Sequence, residues 1–235
     1  NYLYAIGGGS GGGGFPSSIE RATINDDGSL GPFITVPGVA LNQGRLGHVS
    51  VVLGDFLYVI GGYGALGRTG NVERAPVNTD GTLGTFITVS GIGLNTPRNL
   101  FTAFVSDGYL YVIGGLSDTG ELTSIERASI DSDGSLGAFA TISSGALLIP
   151  RISPANPVVG NALYVVGGRN SSAAITTMEH ATINTDGSLG AFNPVQGIGP
   201  TMPRASHTVT SISDFVYLVG GDVNILDSVE RASLR

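Results

Sequence analysis

The chain has 235 residues, of which 41% are hydrophobic and only 12% are charged, and its formal net charge is −7. An acidic chain offers no basic surface to a phosphate backbone, which argues against nucleic acid as a partner. Because the sequence contains no cysteine and no lysine, it excludes disulfides, thiol nucleophiles, thiolate metal sites and Schiff-base chemistry. The longest apolar runs have the length of strands, so we expect no segment that inserts into a membrane.

An apolar segment that ends in two glycines occurs five times and organises the chain. The glycine pairs are at positions 7–8, 61–62, 114–115, 167–168 and 220–221, so their first members lie 54, 53, 53 and 53 residues apart. A regular period of about this length is typical of repeat architectures. It predicts a single repeat-built domain over residues 1–235.

The apolar segment, which we name segment b, is the first element of the chain. It is apolar at nearly every position, as expected for a strand that is covered on both faces. The glycine pair permits backbone conformations that a Cβ would block. The following loop, the b–c loop, differs in sequence in every copy, and the distance from the first glycine to the next glutamate is 13, 12, 12, 12 and 10 residues.

Segment c comes next and contains the glutamate, as in Ser18–Ile24 of the first copy. A nearly constant turn follows it, at 25–31, 78–84, 131–137 and 184–190. Asx side chains that cap their own backbone, and a glycine with positive φ, explain this pattern. A calcium loop would need further acidic ligands at fixed spacing, so the sequence favours a turn.

Segment d carries one aromatic residue per copy (Phe33, Phe86, Phe139 and Phe192), and segment a opens at an arginine (Arg45, Arg98, Arg151 and Arg204). The sequence begins at b and ends at c, so it holds five copies of b and c and four of a and d. Short strands joined by Gly/Asp/Asn turns predict an all-β fold of four-stranded antiparallel units. The first and last units are incomplete, which favours a piece of a longer chain.

Each copy resembles a kelch repeat in its Gly-Gly strand, its following glutamate, its later aromatic residue and the arginine that opens the next segment a. The resemblance covers almost the whole chain. In this chain a phenylalanine replaces the tryptophan that is usual in kelch repeats, and the tyrosine that usually follows the glutamate is absent. These two departures resemble a divergent, bacterial-looking branch of the family. The resemblance implies a kelch-type β-propeller with five four-stranded blades in this chain, and segment a nearest the axis. It also resembles the central domain of galactose-oxidase-like enzymes, but without cysteine the oxidase site cannot form.

Glutamates and arginines recur once per copy. The glutamates are Glu20, Glu73, Glu126, Glu179 and Glu230. A residue that is repeated in every unit is most simply explained by a structural requirement common to all units. We therefore interpret the glutamates as buried acids paired with arginine. Two interpretations stay open for the arginines that open segment a. The resemblance implies that they bind an acidic or polar ligand near the axis, whereas hydrogen bonds to backbone carbonyls would make them structural.

His48 and His207 occupy the same repeat position, three residues after an arginine. Two histidines on separate units, without a third ligand column, make a poor metal site. The sequence therefore predicts no metal and no cofactor, and it contains no recognisable set of catalytic residues.

Variation among the copies points to a binding face. In an antiparallel unit the b–c and d–a loops lie at one end and the c–d turn at the other; the first two vary and the c–d turn does not. Binding residues gather on loops that a rigid scaffold holds. The predicted ligand-binding residues are Arg45, Arg98, Arg151, Arg204, Tyr63, Arg68, Asp118, Arg169 and Asn170.

We therefore expect a non-enzymatic module, outside the cell or at its surface, that recognises a protein segment or a glycan through this face. A structural role in a surface assembly, with other domains or further copies, belongs to the same hypothesis. The alternative is a carbohydrate-active enzyme of the sialate-epimerase or glycosidase kind with its site on the same face. An enzyme should bring two or three carboxylates, tyrosines or histidines together near the axis, whereas a binding module should pair its repeated arginines and glutamates with one another.

Overall fold

The structure is a computed structural model that describes residues 1–9, 12–212, 215–222 and 227–233. Its regular elements are all β-strands, and none of the described residues is helical. Within these ranges there is consequently no helix of the length and hydropathy that crossing a membrane requires.

The strands are short, and the longest have seven residues. In chain order they are β1 (Tyr2–Ile6), β2 (Ser18–Thr23), β3 (Ile34–Ala40), β4 (Arg45–Leu46), β5 (Val49–Leu53), β6 (Phe56–Ile60), β7 (Tyr63–Gly64), β8 (Gly67–Arg68), β9 (Asn71–Pro76), β10 (Ile87–Gly93), β11 (Thr102–Ser106), β12 (Tyr109–Ile113), β13 (Leu116–Ser117), β14 (Gly120–Glu121), β15 (Ile125–Ser129), β16 (Ala140–Thr141), β17 (Val158–Val159), β18 (Ala162–Val166), β19 (Met178–Thr182), β20 (Asn193–Pro194), β21 (Thr208–Ile212), β22 (Phe215–Val219) and β23 (Val229–Ser233).

Five antiparallel sheets follow one another along the chain, and we number the repeats 1 to 5 after them. Their strand orders are β1-β2-β3, β5-β6-β9-β10, β11-β12-β15-β16, β17-β18-β19-β20 and β21-β22-β23. Neighbours in sequence are neighbours in each sheet, so segments a, b, c and d lie side by side in that order. Repeat 1 has strands b, c and d, and repeat 5 has a, b and c. The prediction of an all-β fold built from antiparallel sheets is confirmed.

The described chain divides into two compact units. One comprises Asn1–Asn99 with Ser129–Phe139, and the other comprises Leu100–Ala128 with Ala140–Arg235. That the two units form the single domain expected from the repeat stays a prediction.

Each unit has its own apolar core between successive sheets. In the first unit, strands β6 and β9 of repeat 2 pack against repeat 1, and Ile19, Leu57, Val59 and Phe86 are buried there. In the second unit, one cluster joins repeats 3 and 4 and another joins repeats 4 and 5. The b strands of repeats 2 to 4 (β6, β12 and β18) are therefore buried on both faces, as their continuous apolar sequence predicts. In repeat 1 the b strand β1 has no fully buried residue, which departs from that prediction.

The constant sequence after segment c forms the predicted turn. In repeat 1 the Asn25 carbonyl accepts from the Gly28 amide at 2.9 Å, and Asp27 Oδ1 accepts from the Ser29 amide at 2.9 Å. Gly28 has φ +81°, and the equivalent glycines of repeats 2 to 4 also have positive φ. The aspartate thus serves the turn, as the Asx-Gly sequence predicts.

The glycine pairs join one repeat to the next. The amide of the second glycine donates to the carbonyl of the arginine that opens the following segment a, as in Gly115 N to Arg151 O at 3.0 Å. The first glycine, Gly114, has φ +62°, and a Cβ there would lie 2.7 Å from the same carbonyl. The glycine pair is therefore required for two reasons: the backbone there is left-handed, and the neighbouring backbone lies too close for a Cβ.

Candidate functional site

The arginines that open segment a form ion pairs with the glutamates of segment c. Arg45 pairs with Glu73, Arg151 with Glu179 and Arg204 with Glu230. The arginine in each of these pairs is almost completely buried. The predicted pairing of the two columns is confirmed in these three repeats.

Backbone groups complete each pair. The Arg151 guanidinium also donates to the carbonyls of Gly167 at 2.7 Å and Thr177 at 3.2 Å. On the other side, the Glu179 carboxylate accepts from the backbone amides of Leu148 at 2.6 Å and Ile149 at 3.2 Å. Burial lowers the pKa of Arg151 and the charge of Glu179 opposes that shift. A buried charge network is tolerable when its donors and acceptors are satisfied in this way.

The same geometry recurs at Arg45, which donates to the carbonyls of Gly61 at 3.0 Å and Asn71 at 3.3 Å. Arg98 is also buried and donates to the Thr96 carbonyl at 3.2 Å. In repeats 2, 4 and 5 the network thus ties segment a to segment c and to the first glycine of the pair, which is Gly61, Gly167 or Gly220. The hydrogen bonds expected of structural arginines are observed. That Arg45, Arg98, Arg151 and Arg204 also contact a ligand stays a prediction.

The b–c loop of repeat 2 folds into a small hairpin, β7 and β8, that extends β4 into a three-stranded sheet. A pocket of about 360 Å³ lies beside it. Its polar lining residues are Gln43, Arg45, Arg68, Thr69 and Asn71, and the remaining lining residues are Gly44, Gly64, Ala65, Leu66 and Gly67. Two arginines and no carboxylate line this pocket, although Glu73 pairs with Arg45.

Tyr63 and Arg68 form one wall of the hairpin. The Arg68 guanidinium carbon lies 5.4 Å from the centroid of the Tyr63 ring, and the Phe15 ring meets that ring edge-on at 5.5 Å. Arg68 Nε also donates to Asn99 Oδ1 at 3.0 Å, and Asn99 is buried. These contacts hold the guanidinium plane in place, so Arg68 is preorganised at the pocket.

The other predicted site residues lie in the b–c loops of repeats 3 and 4. Asp118 is exposed at the tip of the β13–β14 hairpin, and Arg169 is exposed directly after a glycine pair. Asn170 Oδ1 accepts from the amides of Ser172 at 3.0 Å and Ala173 at 3.1 Å, which shapes its own loop. The structure thus brings Arg45 and Arg68 to one pocket with Tyr63 behind Arg68. It places Asp118 on the b–c loop of repeat 3, and Arg169 and Asn170 together on the b–c loop of repeat 4. Ligand contacts of these residues also stay predictions.

The two histidines of segment a sit close to the buried arginines. Burial, and then the charge of Arg45, lowers the pKa of His48 to about 4. Burial and the charge of Arg204 lower the pKa of His207 to about 4, against the opposite effect of Asp222 and Glu230. Both imidazoles are therefore neutral at pH 7. Within the described ranges, no three side chains of His, Asp or Glu are grouped as metal ligands.

Sequence reasoning missed a tight bend that precedes strands β5, β11, β17 and β21 of segment a. Gly47, Leu100, Ser153 and Ser206 occupy the same repeat position and have φ between +50° and +61°. In the second unit these bends are linked, since Ser153 N donates to Leu100 O at 2.7 Å and Ser206 N donates to Ser153 O at 3.1 Å. Only Gly47 signals positive φ in the sequence; three side-chain residues hide the bend elsewhere.

It also missed the small polar residues of the pocket. Gln43 and Thr69 are loop residues that recur in no column, and Asn71 opens strand β9, so their convergence depends on the hairpin. The chain matches no protein-family model and no curated protein.

Proposed function

We propose that the five sheets are blades of a kelch-type β-propeller and that the chain is a non-catalytic binding module. Its ligand is an acidic sugar unit of a glycan, held in the pocket of repeat 2. The observation that carries the proposal is the lining of that pocket, whose residues include Gln43, Arg68, Thr69 and Asn71.

The blade interpretation is supported by the strand order, which follows a, b, c and d in the four-stranded sheets and part of that order in the two three-stranded ones. The Arg–Glu pair inside repeats 2, 4 and 5 also supports it. Arginines and glutamates that satisfy one another are what a binding module or scaffold would have. These side chains stabilise the sheet, so we assign ligand recognition to the variable loops.

The chemistry of the pocket supports a small, hydroxyl-rich and acidic ligand. A volume of about 360 Å³ lies at the lower end of small-molecule pockets, which begin near 300 Å³. The Arg68 guanidinium carbon lies 5.4 Å from the centroid of the Tyr63 ring, and an arginine is the side chain suited to recognising a carboxylate. The amides of Gln43 and Asn71 can both donate to and accept from sugar hydroxyls.

A binding titration tests the proposal. The full chain is titrated calorimetrically with oligosaccharides that end in a uronic or sialic acid, and with neutral oligosaccharides of the same length. We expect binding of the acidic set and an affinity about tenfold lower for Arg68→Gln, because one charge-assisted hydrogen bond contributes about 1.5 kcal/mol. Arg127→Gln is the matched control, since Arg127 lies on a strand outside the pocket and stacks on Tyr109 at 4.4 Å.

Three results would contradict the proposal. They are no binding of any acidic saccharide, equal affinity of the Arg68→Gln variant, and tighter binding of an acidic peptide than of the sugars. The last result would favour recognition of a protein segment. A location outside the cell would suit glycan binding and stays a prediction.

A further inference from the structure

The pocket of repeat 2 lies where the sequence departs from a repeat column. The residue directly before the arginine that opens segment a is Gly44 in repeat 2, whereas it is a proline in repeats 3 to 5 (Pro97, Pro150 and Pro203). Gly44 lines the pocket, and a Cβ on it would overlap the carbonyl oxygen of Phe15. The proline of the other repeats therefore cannot be accommodated at this position.

A second glycine extends this close approach of backbone segments. Gly64 of β7 is paired with Arg45 of β4, and a Cβ on Gly64 would lie 2.6 Å from the Gly44 carbonyl oxygen. The equivalent residues of repeats 3 and 4 are Ser117 and Asn170. Neither Gly44 nor Gly64 has positive φ, so glycine is required here for space and not for backbone conformation.

Part of the pocket lining is consequently main chain. Gly44, Gly64 and Gly67 all line the pocket, and a glycine can contribute only main-chain atoms. A main-chain N–H that is paired in the hairpin has no further capacity, whereas a carbonyl oxygen has two lone pairs and can accept a second hydrogen bond. This part of the lining therefore favours a ligand group that carries an N–H donor.

Side-chain amides supply the complementary donors. Gln43 and Asn71 line the same pocket, and both are exposed. Their hydrogen bonds within the described ranges use main-chain atoms: Arg45 Nε donates to the Gln43 carbonyl at 3.1 Å, and the Asn71 main-chain N–H donates to Thr69 Oγ1 at 3.0 Å. Both side-chain amides therefore remain available to donate to a ligand carbonyl.

The tip of the hairpin adds two apolar residues to the lining. Ala65 and Leu66 lie between β7 and β8 and both line the pocket, and Leu66 is 89% exposed. The corresponding hairpin of repeat 3, β13–β14, carries Asp118 and Thr119 at these two positions. A single exposed leucine is ordinary on a protein surface, but here an apolar tip replaces a polar one beside the pocket.

We propose that the acidic sugar bound in the pocket of repeat 2 carries an acylamino substituent. The methyl group of this substituent contacts Leu66 and Ala65, its N–H donates to a glycine carbonyl of the lining, and its carbonyl accepts from the side chain of Gln43 or Asn71. This inference rests on the proposed function, and it narrows the ligand from acidic sugars in general to N-acylated ones.

Other substituents match fewer of these three features. A hydroxyl, as in a plain uronic acid, leaves Leu66 uncovered. The methyl group of a deoxy sugar would cover Leu66, but it offers no polar atom to the glycine carbonyls or to the side-chain amides. An O-acetyl ester has the methyl group and the carbonyl, but it lacks the N–H donor. The acylamino group is thus the substituent that uses the whole lining.

Calorimetric titration of the full chain with two matched trisaccharides tests the inference. One ends in a sialic acid that carries an acetamido group, and the other has a hydroxyl in place of that group and is otherwise identical. We expect the acetamido ligand to bind about tenfold more tightly, because it adds a buried methyl group and a hydrogen bond. Leu66→Ser should weaken binding of the acetamido ligand about fourfold and leave binding of the hydroxyl ligand unchanged.

The matched control is Leu148→Ser, because Leu148 is also exposed, at 54%, and does not line the pocket. This variant should bind both ligands as the parent chain does, and an unchanged circular dichroism melt verifies that both variants are folded. Equal affinities of the two ligands for the parent chain would overturn the inference, as would equal losses of both ligands in Leu66→Ser. In either case an acidic sugar still binds, so the proposed function stands. Binding of neither ligand would overturn the proposed function together with the inference.

Discussion

Arg151 and Glu179 form an ion pair whose side chains are 0% and 2% exposed. The pair joins the opening of segment a to segment c and, through the Gly167 carbonyl, to the glycine pair. The recurrence of these arginines and glutamates along the chain is thus explained by contacts within each repeat.

Breaking this pair should strongly destabilise the chain. We expect Arg151→Met to lower the free energy of unfolding by about 3 to 5 kcal/mol, because Glu179 is left as an uncompensated buried charge. The double variant Arg151→Met, Glu179→Met should lose less than the sum of the single variants. Urea unfolding measures all three, and Arg169→Ala, which removes an exposed cation, should change stability by under about 1 kcal/mol. Additive single effects would contradict the coupling.

A methyl group at the first glycine of a pair should be costly for a steric reason. Gly114 and Gly160 have nearly the same φ, +62° and +59°, but a Cβ at Gly114 lies 2.7 Å from the Arg151 carbonyl whereas one at Gly160 meets nothing within 4 Å. Both alanine variants pay the left-handed strain of about 1 kcal/mol. We expect Gly114→Ala to be clearly less stable than Gly160→Ala in thermal unfolding. Equal melting temperatures would show that the backbone moves away at no cost.

The hydrogen bond from the Tyr111 hydroxyl of repeat 3 to the Gly187 carbonyl of repeat 4 should contribute about 1 kcal/mol. Tyr111→Phe removes the hydrogen bond to the Gly187 carbonyl and should lower the free energy of unfolding by that amount. Tyr164 occupies the same position in repeat 4, and no described residue accepts a hydrogen bond from its hydroxyl. Tyr164→Phe should therefore be nearly neutral, and a loss as large as that of Tyr111→Phe would refute the assignment.

Stability should fall as the pH is lowered from about 6.5 to 4. The pKa of His48 and of His207 is about 4 in the folded chain, and about 6.5 in an unfolded chain. In this window the unfolded chain binds more protons, so the stability present above pH 6.5 is lost as the pH falls, by up to about 3 kcal/mol for the buried His207.

Phenylalanine is the natural replacement, since Phe101 occupies the same position in repeat 3. The variant His48→Phe, His207→Phe should therefore flatten the pH dependence between 6.5 and 4 in urea titrations. The turn carboxyls do not interfere, because hydrogen bonds from Ser and Thr hold the pKa of Asp27, Asp80, Asp133 and Asp186 below the usual value. A pH dependence equal to that of the parent would assign the effect to other groups.

The sequence by itself determined the strands, their order and their turns. The Gly-Gly period, the Asx-Gly turns and the continuous apolar segments depend on local backbone chemistry, which repeats wherever the residues repeat. It also predicted that the repeated glutamates pair with arginine, because a buried charge requires a partner. This pairing is observed for Glu73, Glu179 and Glu230, whereas Glu20 is exposed and is not the buried acid that the repeat predicts.

The tertiary structure decided what depends on residues far apart in the sequence. Segment a opens with a column of arginines, but only the packing of a against c revealed that Arg45 lies beside both Glu73 and the pocket of repeat 2. The bend at Leu100, Ser153 and Ser206 has positive φ without glycine, so no local pattern predicts it. Likewise, Phe33 and Phe86 are equivalent in sequence, yet 46% of one and 2% of the other is exposed. Burial depends on which sheet lies opposite, and that neighbour is supplied by the fold and not by the segment itself.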